Sequence, residues 1–175
     1  MTKQEKKLDE LYELIADIEI AMMTTRRADG RLVSRPMATQ KPQPDADLWF
    51  VTARATDKLD EIEADPQVNL AYYDNGTREW VSVSGRASIS DDRARIRELY
   101  APDWRMWFED EGGEKNGGPD DPRLRLVLVE VESVVYAKKT SSRPVALFEL
   151  AKGFVTGEQP DLLRVEEMDR AETGR

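Results

Sequence analysis

The chain has 175 residues, 39% of them apolar, enough for one domain with a real core and too few for two comfortable ones. Its 26 basic and 35 acidic residues leave a net charge of −9, which argues against nucleic acid or an anionic membrane as the main partner. With neither cysteine nor histidine, the sequence excludes disulfides, thiolate nucleophiles, zinc-thiolate and iron–sulfur sites, Ser-His-Asp and Cys-His catalysis, and His-ligated haem.

Any chemistry is therefore expected from a bound organic cofactor. The acidic balance also means that a phosphate group would be captured by a few well-placed cations rather than by the overall field. The N-terminus starts polar and carries no apolar run long enough for a signal peptide or a membrane span, so a cytoplasmic location is expected.

Leu8, Leu11, Tyr12, Ile15 and Ile18 recur at three- and four-residue spacing and predict an amphipathic first helix that covers a sheet. Residues 20–27 and 31–40 read as a hairpin closed at Gly30, followed by a loop, "QKPQPDAD". "DLWFVTAR", residues 47–54, is a third strand, buried on both faces for part of its length. A short helix follows, with Thr56 as N-cap, acids in its early turns, Leu59 and Ile62 on one face, and a stop at Pro66.

Residues 68–74 and 79–90 form another strand pair around "NGT". "DDRARIRELY" returns to helical spacing, and "APDWRMWF" brings two tryptophans, Trp104 and Trp107, suited to packing or to a subunit interface. Residues 109–122 read as an exposed loop without EF-hand spacing, and no metal site is expected. Alternation from Leu124 to about Tyr136 gives a long strand. Val145, Phe148, Ala151 and Val155 suggest a last helix, and residues 161–175 a flexible tail after a single domain spanning residues 1–160. The order fits a small closed or partly closed antiparallel barrel with capping helices.

Three stretches could carry chemistry. Pro36 cannot donate to a sheet ladder, so its strand needs an edge, a bulge or an interruption. Backbone freed around Met37 and Ala38 could meet a planar heteroaromatic ring, and Arg35 could reach a phosphate; an edge proline beside a solvated arginine explains the same residues. "TDK", Thr56 to Lys58, combines a hydroxyl, a helix N-terminus and a cation, which suits a phosphate but also an ordinary cap beside an exposed lysine. In "WVSVSG", Trp80 faces either the core or a ligand.

In order, "MMTT…DGRLVSRPM", "LWFVTARATDKLDEIEADPQVNLAYYD", "WVSVSGRA" and "GPDDPRLRLVLVEVESVVYA…ALFELAKGFVTGEQPD" resemble the general stress protein branch of the pyridoxamine 5′-phosphate oxidase-like flavoproteins, from the first helix to Asp161. The resemblance implies a mainly β fold with flanking α: an FMN-binding split β-barrel of about six antiparallel strands. It implies a homodimer with flavin sites at the subunit interface.

Carried over by residue, Arg35 and Lys58 would contact the FMN phosphate, with Thr56 at the same helix start. Pro36, Met37 and Ala38, and Phe50, Val51 and Thr52, would line the isoalloxazine largely through backbone. Trp80 falls where the oxidases often place a glutamine that approaches the flavin from the other subunit.

Three departures qualify what the resemblance implies. The chain lacks the C-terminal histidine of the oxidases, so genuine pyridoxamine phosphate oxidation is not expected. Ala137 follows Tyr136 where the stress-protein branch commonly has tryptophan, and Asp57 replaces an arginine beside the phosphate lysine, both of which weaken the expected flavin site. The resulting expectations are an FMN-dependent oxidoreductase using reduced nicotinamide, with no identifiable acid or base, or a non-catalytic flavin-binding redox sensor. A barrel holding FAD or a deazaflavin is the third.

Overall fold

The computed structural model describes residues 3–43, 47–139 and 163–173. Helix α1 spans Lys3–Ile18 and buries Leu11 and Ile15 against the sheet, as its spacing predicts, together with Leu14, which that spacing does not mark; Leu8, Tyr12 and Ile18 are partly buried. Strands β1 (Ile20–Arg26) and β2 (Leu32–Ala38) form a seven-pair antiparallel hairpin. Gly30 takes the left-handed conformation (φ 85°) that its turn requires.

Strand β3 (Leu48–Ala53) leads into α2 (Asp57–Ala64), then β4 (Gln67–Tyr73) and β5 (Trp80–Ser90). After α3 (Arg93–Leu99) and a 3-10 turn (Pro102–Trp107) comes β6, a 16-residue strand from Leu124 to Lys139. The described chain closes with β7 (Leu163–Asp169) and a helical turn, Arg170–Thr173.

The strands make one antiparallel sheet in the order β2-β1-β4-β5-β6-β3, with β7 also on β6. Along one edge, β6 pairs with β3 through Leu124–Val129 and with β7 through Ser133–Lys139. The ladder is not closed into a full barrel. Its outermost strands, β2 and β3, approach where the Gln40 amide donates to the Trp49 carbonyl at 3.0 Å. The fold is a mainly β split barrel with flanking helices.

The main core fills the concave side, with Met23, Phe50, Leu70, Tyr72, Val83, Val127 and Tyr136 all essentially inaccessible. A second cluster packs α3 and the 3-10 turn on the other face of β3 and β6. There Trp49 and Trp104 meet edge to face with ring centroids 6.0 Å apart, and their indole N–H groups donate to the Lys41 carbonyl and the Gln40 side chain. Trp104 is thus a packing residue, whereas Trp107 is exposed.

Two sequence expectations change. The sequence places residues 163–169 in a flexible tail, yet they form β7, making seven strands rather than about six. The free edge of β6 and ion pairs of Glu166 with Lys7 and Arg164 hold that strand, and Met168 buries on its inner face. The loop over residues 109–122 is mostly exposed, but its end turns inward: Asp121 is fully buried and accepts from the Gly117 and Arg123 amides and the Arg123 guanidinium. The helix expected around Val145, Phe148, Ala151 and Val155 lies outside the described residues.

Candidate functional site

The hairpin ladder runs through Pro36 without a break, opposite Met22, so the proline occupies the edge strand rather than a bulge. Strand alternation puts Pro36 and Ala38 on the face opposite to Arg35 and Met37. Met37 is buried in the core, while Arg35 points toward α2 with about a fifth of its side chain exposed. Its guanidinium reaches the Glu61 carboxylate (2.7 Å) and the Thr25 hydroxyl (2.7 Å), and Thr25 in turn donates to the same Glu61 oxygen at 2.6 Å. Three residues from β1, β2 and α2 thereby close a hydrogen-bonded triangle.

Glu61 is almost wholly buried, which by itself would push its carboxyl up. Hydrogen bonds from Thr25 and Arg35, and the charge of Arg35, outweigh burial and hold it below the usual carboxylate value. Arg27 adds a longer contact of 3.4 Å to the other oxygen. One turn earlier on α2, Lys58 donates to the Thr52 hydroxyl at 2.6 Å. Burial first, then the positive charge of Arg35, lowers the Lys58 ammonium from its ordinary value of 10.5, against an opposing contribution from Glu61. Arg35 and Lys58 therefore feel each other across the start of α2.

Thr56 stands at the N-cap position but makes no side-chain cap; its hydroxyl donates to the Ala53 carbonyl at 3.0 Å. The expectation that this hydroxyl could donate to a phosphate fails in this conformation, because its one hydrogen is already used. In the first helical turn the Leu59 amide donates to the Thr56 carbonyl at 3.0 Å, and the Asp57 and Lys58 amides have no intrahelical acceptor.

Phe50 is fully buried and Val51 packs into the second cluster, so only their backbone could face a ligand. Thr52, one residue before the end of that strand, lies beside Lys58. Trp80 lies apart: it pairs with Tyr73 and Ala137, on a strand three places from β2 in the sheet, about 14 Å away at ordinary strand spacing. The position that lacks an aromatic, Ala137, is the direct cross-strand neighbour of Trp80. Arg35, Thr52 and Lys58 are thus brought together within the chain, and Trp80 is not.

Sequence reasoning alone passes over Glu61 and Thr25. The available signal is the three-residue spacing from Lys58 to Glu61, which places both on one side of α2.

Known proteins share this fold. The family model described as "Pyridoxamine 5'-phosphate oxidase like" matches residues 6–161. Protein bli-3 of Neurospora crassa is 33% identical over 171 residues, covering 96% of this chain and 82% of that protein. The crystal structure of a protein related to general stress protein 26 from Clostridium acetobutylicum superposes with a TM-score of 0.69 at 18% identity, covering 97% of this chain and 98% of that one. The general stress FMN/FAD binding protein of Xanthomonas citri gives 0.58 at 21% identity over 73% of this chain and 84% of that one. The family-model match over residues 6–161, together with 33% identity to a relative over 96% of the chain, makes this chain a member of the pyridoxamine 5′-phosphate oxidase-like family.

Proposed function

We propose that the protein is a flavin-binding stress protein whose Arg35 and Lys58 hold the phosphate of FMN. The observation that carries this reading is the convergence of these two cations from β2 and the start of α2. Both keep donors free for a phosphate. Arg35 has five N–H groups and spends one each on Thr25 and Glu61, and Lys58 has three and spends one on Thr52. Even with Glu61 ionised, Arg35 and Lys58 leave a net positive charge for a phosphate. Backbone of Pro36–Ala38 along the edge strand, and of Phe50–Thr52 beside it, would hold the ring. The Xanthomonas relative, described as FMN/FAD binding, supports a flavin in this fold.

In this reading the protein is a cytoplasmic homodimer. Trp80 stands three strands from Arg35 in the sheet, and the exposed apolar side chains Ile20, Met22 and Tyr73 offer a surface for a second copy. Bound FMN would supply electron transfer from a reduced nicotinamide to an acceptor, and the protein would orient it and shield it.

A second reading, a non-catalytic flavin-binding redox sensor, draws on the engagement of Arg35, Lys58 and Glu61 with one another or with threonines, which leaves none as a ready acid or base. Titration of the purified chain with FMN, riboflavin, FAD and a deazaflavin, followed by NADH and NADPH on the same sample, separates these. FMN should bind best and raise the melting temperature. Absence of any flavin binding sinks both readings, and binding without reduction leaves the sensor.

A further inference from the structure

Away from Arg35 and Lys58, a surface cavity of about 520 Å³ opens where the end of β3, α3 and the start of β6 meet. Four arginines line it: Arg54 just beyond β3, Arg93 and Arg97 on α3, and Arg125 on β6. Asp91, Glu114 and Asp120 share the wall. Asp120 is taken by Arg97, at 2.5 Å. Arg54, Arg93 and Arg125 have no carboxylate partner within ion-pair distance among the described residues.

The frame of this cluster is rigid. Arg93 donates to the carbonyls of Leu124, Pro119 and Asp121, and Arg125 to those of Pro122 and Leu124. Those acceptors are neutral, so the hydrogen bonds fix the two guanidinium groups without cancelling their charge. Arg54 stands exposed with its donors directed to no protein acceptor among the described residues. Burial, followed by the charge of Arg54, makes the Arg125 cation harder to hold, Asp91 giving partial relief. In a chain of net charge −9, four arginines against three acids give this cavity wall a net positive charge, a local reversal of sign.

We propose that this cavity is a second anion site, independent of the flavin reading, which takes a compact phosphate-bearing anion between Arg54, Arg93 and Arg125. Planar guanidinium forks suit phosphate oxygens. The acids on the wall disfavour an extended polyanion and select a small one that sits between the three arginines.

The test titrates the full-length protein with inorganic pyrophosphate at constant ionic strength, read by calorimetry and by melting temperature. Pyrophosphate should bind the wild type and Lys58→Met with equal affinity, and the Arg54→Gln/Arg125→Gln double variant at least tenfold more weakly. Arg54→Gln alone, which removes an exposed side chain without a protein partner, should weaken binding at least threefold and keeps the test open if the double variant does not fold.

Three results overturn the proposal: no binding by the wild type, full affinity in Arg54→Gln, or binding lost in Lys58→Met. ADP titrated in the same way identifies the source. Tighter binding than pyrophosphate with the same dependence on Arg54 assigns a nucleotide, and equal or weaker binding with that dependence assigns a free inorganic anion. ADP binding that ignores Arg54 counts against the site. Failure here leaves the flavin titration intact, because that reads Arg35 and Lys58.

Discussion

Arg35 and Glu61, 26 positions apart, are joined by a 2.7 Å charge-assisted hydrogen bond beneath the edge strand, with Thr25 bridging them. The pair holds the arginine in one orientation while leaving three of its N–H groups for a ligand. Replacing Arg35 by alanine removes a charged hydrogen bond to the proposed phosphate, an interaction worth about 1.5–3 kcal/mol. FMN affinity should fall roughly 10- to 100-fold, while riboflavin, which lacks the phosphate, should change less than about threefold. Equal losses for the two flavins would place Arg35 away from the phosphate.

Glu61→Gln tests the other partner. Thr25 and Arg35 would face a neutral amide, and a charged hydrogen bond inside the protein would be lost, at a cost of about 2 kcal/mol by urea unfolding. The carboxylate also supports the Lys58 ammonium, so the Lys58 pKa should move further down in this variant. An unchanged Lys58 titration, followed by NMR of its side chain, would show that the two groups are not coupled.

The depressed Lys58 pKa has its own signature. Below that pKa the lysine is charged in both folded and unfolded chains, and folding bears the cost of a partly buried cation. Between the folded value and the unfolded value near 10.5, the unfolded chain binds more protons, so Lys58's contribution to stability rises with pH. Phosphate binding has the opposite dependence, since it needs the charged form. FMN affinity should therefore decline before pH reaches 10.5, with riboflavin affinity flat over the same range. Parallel curves for the two flavins would rule out Lys58 as a phosphate ligand.

What could be read from the sequence followed from local chemistry. The hairpin, the buried β3 and the start of α2 are marked by Gly30, by the apolar run Leu48–Val51 and by Thr56 with its following acids, all within a few residues. Glu61 was hidden because α2 is acidic throughout, with Asp57, Asp60, Glu61 and Glu63, and nothing local says which acid turns inward. Its burial depends on Thr25, 36 residues earlier. Strand β7 was hidden for a related reason: in "LRVEEMD" only Met168 is buried, and the strand exists because β6 has an unpaired edge and α1 offers Lys7 to Glu166.

Acid should act through Asp121. Burial opposes its charge, but hydrogen bonds from Arg123 and the Gly117 amide prevail and bring its pKa down to about 2, from an unfolded value of 3.8. A depressed carboxylate stabilises the fold above the unfolded value, and that contribution is lost as pH falls toward 2. Asp121→Asn should thus be less stable than the wild type at pH 7, and the two stability curves should converge between about pH 5 and 2. A constant gap across that interval would show that the charge contributes nothing.

A bulge interrupts the ladder between β5 and β6. Register between β5 and β6 shifts between Ser84 and Gly85, with Ser84 opposite Ser133 and Gly85 opposite Val131, so Glu132 is the extra residue of a bulge. At Gly85 the strands approach so closely that a Cβ would stand 2.4 Å from the Glu130 carbonyl oxygen and 2.9 Å from a Val129 methyl. The valine can rotate, but the carbonyl belongs to the backbone of the central strand and cannot yield without moving the ladder. Gly85→Ala should therefore cost about 3 kcal/mol, at the upper end for overpacking, or prevent folding. Gly30→Ala, in an open turn where nothing lies within 4 Å, should cost only its backbone strain, about 1–2 kcal/mol. A Gly85→Ala protein as stable as the wild type in urea would mean that the bulge is not held as tightly as the strand spacing indicates.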